Sequence, residues 1–341
     1  MTSQFGPTNI AGMVNAPNVK MFAFCDAYTG ILILAPPGTQ YETLSSALAS
    51  GEALEQAMPR IAGQLEGKKL SIDAEGVHRT FLDTVFDLGG VSPDDIEIVS
   101  VDDSRMLLLA RGGKVDFAKP QGGAQTALLL SQGWYPIIGV EDLIRGLPAG
   151  DPRGVSGIGS SGLATSTDFF KKDPGTIYRT AGVMFRVIDG IQTDLQNGTD
   201  ETLSTILPVI ESAAAVKLGM DTLKEIYKTV DPMRNFEEQA SFWVDKDDPF
   251  YYKNVYQPQI DAAQKGGVLP ASKSLTPDDA FLAPKVYGDL AKYKSDYDGL
   301  VGNAASLTGD AKTLADDAAK QYQNRNYYDA YRFLNAAIDG K

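Results

Sequence analysis

A regular alternation of short apolar runs with amphipathic segments, between about residues 65 and 144, most constrains how this chain can fold. The runs KKLSIDA, IEIVSVD, KVDFAK and YPIIGV are short, apolar and bounded by turn residues, as buried strands are. Between them lie GVHRTFLDTVFDLGG, SRMLLLARGG and GAQTALLLSQG, whose helical patterns end at or near glycine. Strands that alternate with helices in this way predict βαβ units and a parallel sheet.

The flanking segments predict further elements of different character. VKMFAFCD and GILILAP, near the start of the chain, have the composition of two buried strands. LPAGDPRGVSGIGSSG is rich in Gly, Pro and Ser, which predicts a linker or hinge. Beyond it we expect one strand and then mostly helices. From residue 291 onward, Ala- and Asp-rich helical patterns predict either a packed helical hairpin or a tail that binds partners.

Composition excludes several classes of function. The formal net charge of −13 argues against nonspecific binding to nucleic acid or to anionic membranes. The single cysteine, Cys25, cannot form an internal disulfide, and the single histidine, His78, rules out sites built from two or more histidines. The sequence contains no GxxxxGK[ST], GxSxG or HExxH motif. We therefore expect no catalytic residue, no metal site and no cofactor.

No run reaches the roughly 20 apolar residues that a membrane span needs. The start, MTSQFGPTNIAG, lacks the basic and apolar regions of a signal peptide. Two interpretations stay open: a cytoplasmic protein, or an exported one whose export segment is missing from this chain.

Two junctions between a predicted strand and a predicted helix are candidate binding sites, because helix N-termini present free N–H groups there. The first, AEGVHRT, contributes Gly76, Val77, His78, Arg79 and Thr80. The second, AKPQGG, contributes Lys119, Pro120, Gln121 and Gly122. Gly122 has no side chain, so a ligand can approach the backbone closely there. The alternative is that both are ordinary turns with solvated side chains.

The order of several motifs resembles the substrate-binding proteins of ABC transporters. LEGKKLSI, AEGVHRT, GGVSPDDIEIV and LARGGKVDFA are similar, in that order, to the second lobe of the nitrate, sulfonate, taurine and thiamine-precursor group. The similarity continues through GLATSTDFFKKDP and LTPDDAFLAPKVYGDL, and covers roughly residues 6–290. It begins after the first strand and helix usual in that family.

The resemblance implies a two-lobe α/β fold of the type II periplasmic-binding-protein kind, with parallel-type sheets and a helical C-terminal extension. Residues 1–60 and 151–290 would form lobe 1, without its first βα unit, residues 61–150 would form lobe 2, and 291–341 would form the extension. The two junctions would hold a ligand from lobe 2. Lobe 1 would contribute Thr8, Asn9, Asp26, Tyr28 and Thr29.

The resemblance also implies a function without catalysis: binding a solute in a cleft that closes between the lobes, and delivering it to a membrane permease. The location would be the periplasm or the cell surface. Arg79, His78 and Lys119 favour a small anionic or zwitterionic solute, whereas Tyr28 and Trp134 would allow stacking of a pyrimidine or flavin-like ring. The alternatives are an enzyme on the same fold, similar to thiamine-pyrimidine synthases, and a ligand-sensing or scaffold protein.

Overall fold

The chain folds around two separate β-sheets covered by helices. The computed structural model describes residues 1–73, 79–148, 151–155 and 158–339. The strands are β1 (Thr2–Phe5), β2 (Val19–Phe24), β3 (Leu32–Ala35), β4 (Lys69–Asp73), β5 (Glu97–Val101), β6 (Phe117–Lys119), β7 (Tyr135–Gly139) and β8 (Ser161–Ser166).

Helices make up most of the remaining described structure. The first nine are α1 (Gly6–Gly12), α2 (Leu44–Ala49), α3 (Leu54–Ala62), α4 (Arg79–Gly89), α5 (Asp103–Arg111), α6 (Gly123–Ser131), α7 (Val140–Gly146), α8 (Thr167–Lys172) and α9 (Pro174–Asn197). The others are α10 (Leu203–Ala214), α11 (Met220–Glu225), α12 (Ala240–Trp243), α13 (Tyr252–Lys265), α14 (Pro277–Ala280), α15 (Ala283–Leu300), α16 (Gly309–Gln323) and α17 (Tyr327–Asp339). A π-helical turn, Ile226–Val230, follows α11 directly.

The larger sheet confirms the α/β fold predicted from the alternating pattern. Its strand order is β5-β4-β6-β3-β7. β4 pairs in parallel with both β5 and β6, as βαβ units require. β3 is antiparallel to β6 and β7 and lies between them. The four strands predicted between residues 65 and 144 therefore all lie in one sheet.

The smaller sheet has the order β1-β8-β2 and both of its pairings are antiparallel. The parallel type of sheet predicted for the fold is thus confined to β4, β5 and β6. The smaller sheet differs because β8 arrives from the larger sheet and runs between β1 and β2 in the opposite direction.

The two sheets divide the chain differently from the division predicted at residue 60. β3 lies before that position, but its backbone pairs with β6 and β7 of the larger sheet. α3 also packs on this side, where Leu54, Met58 and Ile61 are fully buried beside α4. We therefore assign residues 32–147 to the second lobe, and the boundary lies near Ile31. Pairing between distant strands, which local sequence does not encode, causes this difference.

Residues 203–230 also depart from the predicted division, which placed them in the first lobe. Their apolar side chains, including Leu203, Leu223 and Ile226, share a buried cluster with Leu107 and Leu129 of the second lobe. The chain thus leaves the first lobe after α9, covers the second lobe with α10 and α11, and then returns.

The C-terminal helices form the predicted helical region. α16 and α17 pack against each other and against α15 around Tyr297, Ala318, Ala330 and Leu334. The first lobe also contains a strand and a helix, β1 and α1, where the sequence indicated no regular structure. Among the helices of the described ranges, none combines the length and apolar character that crossing a bilayer requires.

We predict that Gly162→Ala destabilises the chain severely. Gly162 lies in β8, the central strand of the smaller sheet, and a Cβ atom there would overlap the backbone carbonyl of Ala23 in β2. Because the obstructing atom is backbone, relief requires the strands to separate. We expect the free energy of unfolding to fall by about 3 kcal/mol or more, measured by urea denaturation.

Gly288→Ala is the matched control for this prediction. Gly288 lies inside α15, and an added Cβ would meet no described atom within 4 Å. Alanine should stabilise this helix by roughly 0.5–1 kcal/mol. Equal stability of the Gly162→Ala variant and the unmodified chain would contradict the pairing of β8 with β2.

Candidate functional site

Three segments that connect the lobes lie side by side. Residues 25–29 leave β2 for the larger sheet, residues 158–161 return to β8, and residues 230–234 return from the helices on the second lobe. The Cys25 amide donates to the Ser161 carbonyl at 2.9 Å, and the Arg234 amide donates to the Cys25 carbonyl at 2.9 Å. This junction, called the crossing below, is where the chain passes between the lobes.

A pair of carboxyl groups is buried in the crossing. Asp26, 1% exposed, accepts a hydrogen bond from the Ser161 amide at 2.6 Å. Its carboxyl group also contacts that of Asp231, whose Oδ1 is buried without a partner among the described residues. Burial raises the pKa of Asp26 to about 6. Burial, and then the charge of Asp26, raise the pKa of Asp231 well above its usual range, so the two groups share protons near neutral pH.

Cys25 is held in its protonated form at the same junction. Its Sγ donates to the Ser161 carbonyl at 3.0 Å. Burial and the neighbouring charge of Asp26 raise the pKa of the Cys25 thiol well above its usual range. A thiol is a weak nucleophile until it ionises, so the surroundings of Cys25 favour a structural role.

The second predicted junction, AKPQGG, is already occupied by a carboxylate of the chain itself. The backbone amides of Gln121 and Gly122 donate to the two oxygens of Asp103 at 3.1 and 2.7 Å. The Tyr28 hydroxyl donates to the Gln121 carbonyl at 2.6 Å. The amides predicted to hold an anionic ligand therefore hold Asp103 at the start of α5.

Apolar side chains cover the same junction. A Cβ atom added at Gly123 would lie 3.6 Å from Ile226 and from Val230, and 3.7 Å from the Tyr28 ring. Lys119, which ends β6, and Pro120, which follows it, are buried as well. Trp134 packs in the buried cluster of the second lobe. Stacking of a ligand ring on Tyr28 and Trp134 would therefore require these side chains to leave the core.

The predicted contacts from the first lobe lie in two places, α1 and the crossing. Thr8 is exposed on α1. Asn9, the next residue, is buried, and its side-chain amide donates to the Ala280 carbonyl at 2.8 Å. Thr29 is buried in the crossing, where its amide donates to the Val230 carbonyl. Asn9 and Thr29 thus have partners in the protein where the sequence predicted a ligand.

Only part of the first predicted junction, AEGVHRT, can be placed. Gly76, Val77 and His78 lie outside the described residues. Arg79 is the first residue of α4, and Thr80 follows it. Thr80 lies at the edge of a cavity between the lobes.

One wall of this cavity is a single face of α4. Thr80, Asp83, Thr84 and Asp87 line it, and their spacing of three and four residues places them on the same side of the helix. This face is polar and bears carboxylates. α4 belongs to the second lobe, where its opposite face buries Phe81, Val85 and other apolar residues.

The facing wall is α13 of the first lobe. Val255, Pro258, Gln259 and Ala262 line it at the same helical spacing. The Gln259 side chain donates to the Ile158 carbonyl at 2.8 Å, which attaches this wall to the crossing. The cavity has a volume of about 330 Å³.

A second, larger cavity of about 850 Å³ shares Pro152, Val155 and Pro258 with the first. It extends between residues 144–148 and 151–155, at and just after the end of the second lobe, and the start of α13. We call the two together the interlobe groove. Sequence reasoning missed α13 as a wall, because its register with α4 depends on how the lobes pack. Within the described ranges, no group of three or more His, Cys, Asp and Glu residues is arranged to hold a metal ion.

We predict that the carboxyl pair makes stability fall as pH rises. Because the folded-state pKa of Asp26 is raised, its contribution is complete below its ordinary pKa of 3.8 and is lost as pH rises through about 6. The free energy of unfolding should drop by on the order of 2 kcal/mol between about pH 4 and pH 7. Asp231→Asn should reduce this drop, since it removes a second carboxyl group whose pKa is raised in the folded chain.

Asp95→Asn, at an exposed position, is the control. Its free energy of unfolding should fall with rising pH by as much as that of the unmodified chain. Urea denaturation of the three proteins at both pH values measures the difference. An undiminished drop in Asp231→Asn would show that the pair does not share protons.

Comparisons with known proteins bear on the fold. No family model matches the sequence, and no curated protein matches it. The periplasmic aliphatic sulphonate binding protein SsuA from Escherichia coli matches with a TM-score of 0.52 and 10% identity, over 82% of this chain and 74% of that chain. The ligand binding component of an ABC-type import system from Staphylococcus aureus matches with a TM-score of 0.52 and 10% identity, over 84% of this chain and 79% of that chain.

The desulfurization enzyme DSZB matches with a TM-score of 0.48 and 10% identity, over 84% of both chains. One fold can carry several functions, so likeness at these identities concerns the fold. At that level it confirms the resemblance found in the sequence. The chain has the fold of the substrate-binding proteins of ABC importers.

Proposed function

We propose that this chain is a solute-binding protein of an ABC importer and that it binds its solute in the interlobe groove. The observation that carries the proposal is the groove itself, whose two walls belong to different lobes joined at the crossing. A ligand in such a groove contacts both lobes at once and stabilises the arrangement in which they lie together.

The partner in this proposal is a membrane permease, and the location is the periplasm or the cell surface. These follow from the binding proteins whose fold the chain has. Anionic and zwitterionic solutes, the two classes expected from the sequence, are both candidates for the groove.

Binding without catalysis is part of the proposal. The one cysteine, Cys25, is kept protonated by burial and by Asp26, which supports a role in the junction. The alternative functions are an enzyme on the same fold and a ligand-sensing or scaffold protein. The experiment below distinguishes both from a solute-binding protein.

We predict that Ala262→Trp abolishes solute binding. Ala262 lies on the α13 wall with its side chain toward α4, so an indole there fills the narrower cavity. A thermal-shift panel of nitrate, taurine, alkylsulfonates, dicarboxylates, alkylamines, pyrimidines and flavins first identifies a solute that raises the melting temperature. At about 100 times its dissociation constant such a solute adds roughly 2.7 kcal/mol. Calorimetry should then show an affinity at least tenfold weaker in Ala262→Trp.

Ala305→Trp is the matched control, because Ala305 is exposed in the turn before α16, on the helical extension. It should bind the solute with unchanged affinity. Equal affinity of Ala262→Trp and the unmodified chain would show that the solute binds outside the groove. A well-folded chain that responds to no member of the panel would favour the scaffold, and turnover of a bound member would favour the enzyme.

A further inference from the structure

Opposite the polar face of α4, the interlobe groove carries many apolar side chains. Its lining includes Leu147, Pro148, Val155, Pro249, Val255 and Pro258, contributed by both lobes. A ligand with an apolar body gains by covering these side chains, whereas a small inorganic ion leaves them in contact with water.

The size of the groove also favours an organic ligand over a small inorganic ion. Its two parts measure about 330 and 850 Å³, the range of pockets that hold organic molecules of some size. An ion of a few atoms, such as nitrate, would fill only a small part of this volume. It would therefore give little free energy to hold the lobes together.

The charges along the groove favour a cation. Arg153 pairs with Asp151 at 2.7 Å, and Lys253 pairs with Asp278 at 2.9 Å, so two of the cationic side chains are already neutralised. Lys246 is the third cation of the described lining.

Three carboxylates of the lining, Asp87, Asp247 and Asp261, have no cationic side chain within 4 Å among the described residues. They outnumber Lys246, so the potential in the groove is negative and attracts a cationic group.

The backbone amides of the second predicted junction, AKPQGG, are satisfied within the protein. Gln121 and Gly122 donate to Asp103, so an anion would have to displace a carboxylate to reach them. This observation is independent of the groove and disfavours a small oxyanion at that junction.

We infer that the solute is an organic ammonium compound, a cation or a zwitterion, with an apolar body. The inference rests on the proposed function and names the ligand class of the same groove. The apolar body lies against the proline and aliphatic side chains of both lobes, and the ammonium group lies near the α4 wall at Asp87.

A matched pair of probes tests the inference on the full chain at neutral pH. Hexylammonium and hexanesulfonate have the same apolar body and opposite charges. Calorimetry should show hexylammonium binding at least tenfold more tightly. Asp87→Asn should weaken hexylammonium several-fold and leave hexanesulfonate unchanged or stronger. Asp94→Asn, at an exposed position before β5, should change neither affinity.

The outcomes separate the inference from the proposed function. Tighter binding of hexanesulfonate, lost in Ala262→Trp, would overturn the ammonium class and leave solute binding in the groove intact. Hexylammonium binding that Asp87→Asn and Asp94→Asn reduce equally would overturn the class as well. If neither probe binds, the ammonium class is overturned. The wider thermal-shift panel, repeated with Ala262→Trp, then still tests the proposed function.

Discussion

The hydrogen bond from the Ser161 amide to the buried carboxylate of Asp26 fixes the place where the chain passes between the lobes. It joins the segment that leaves β2 to the segment that enters β8. Because residues 230–234 pair with the other edge of residues 25–29, the same bond aligns the third segment. The separation of α4 from α13, and therefore the width of the interlobe groove, depends on this junction.

Two sites have opposite electrostatic requirements, and in both the protein itself meets the requirement. The N-terminus of α6 presents amide donors and a partial positive charge, and Asp103 satisfies both. The crossing instead contains two carboxyl groups close together, which burial keeps partly protonated. The polar groups of the interlobe groove, such as Asp87 and Thr84, lie outside both sites and face the space between the lobes.

Local sequence was sufficient for the strands β4 to β7, because each is a short apolar run ended by turn residues. It was not sufficient for β3, whose place in the larger sheet depends on pairing with strands some 80 to 100 residues later. The junction at Gln121 and Gly122 was located correctly as a helix start, yet its partner Asp103 comes from another helix. Nothing in the local sequence of α13 indicated that its residues line the groove, since a helical face lines a groove only when another lobe lies opposite it.

A crystal structure of the chain with the tightest-binding solute of the panel tests the central claim most directly. The account predicts electron density for the solute between α4 and α13, in contact with Val255 and Ala262 on one side and the α4 face on the other. It also predicts that Asp103 keeps its bonds to Gln121 and Gly122. Density for the solute at those two amides, with Asp103 displaced, would contradict the account and return the site to the junction that the sequence first suggested.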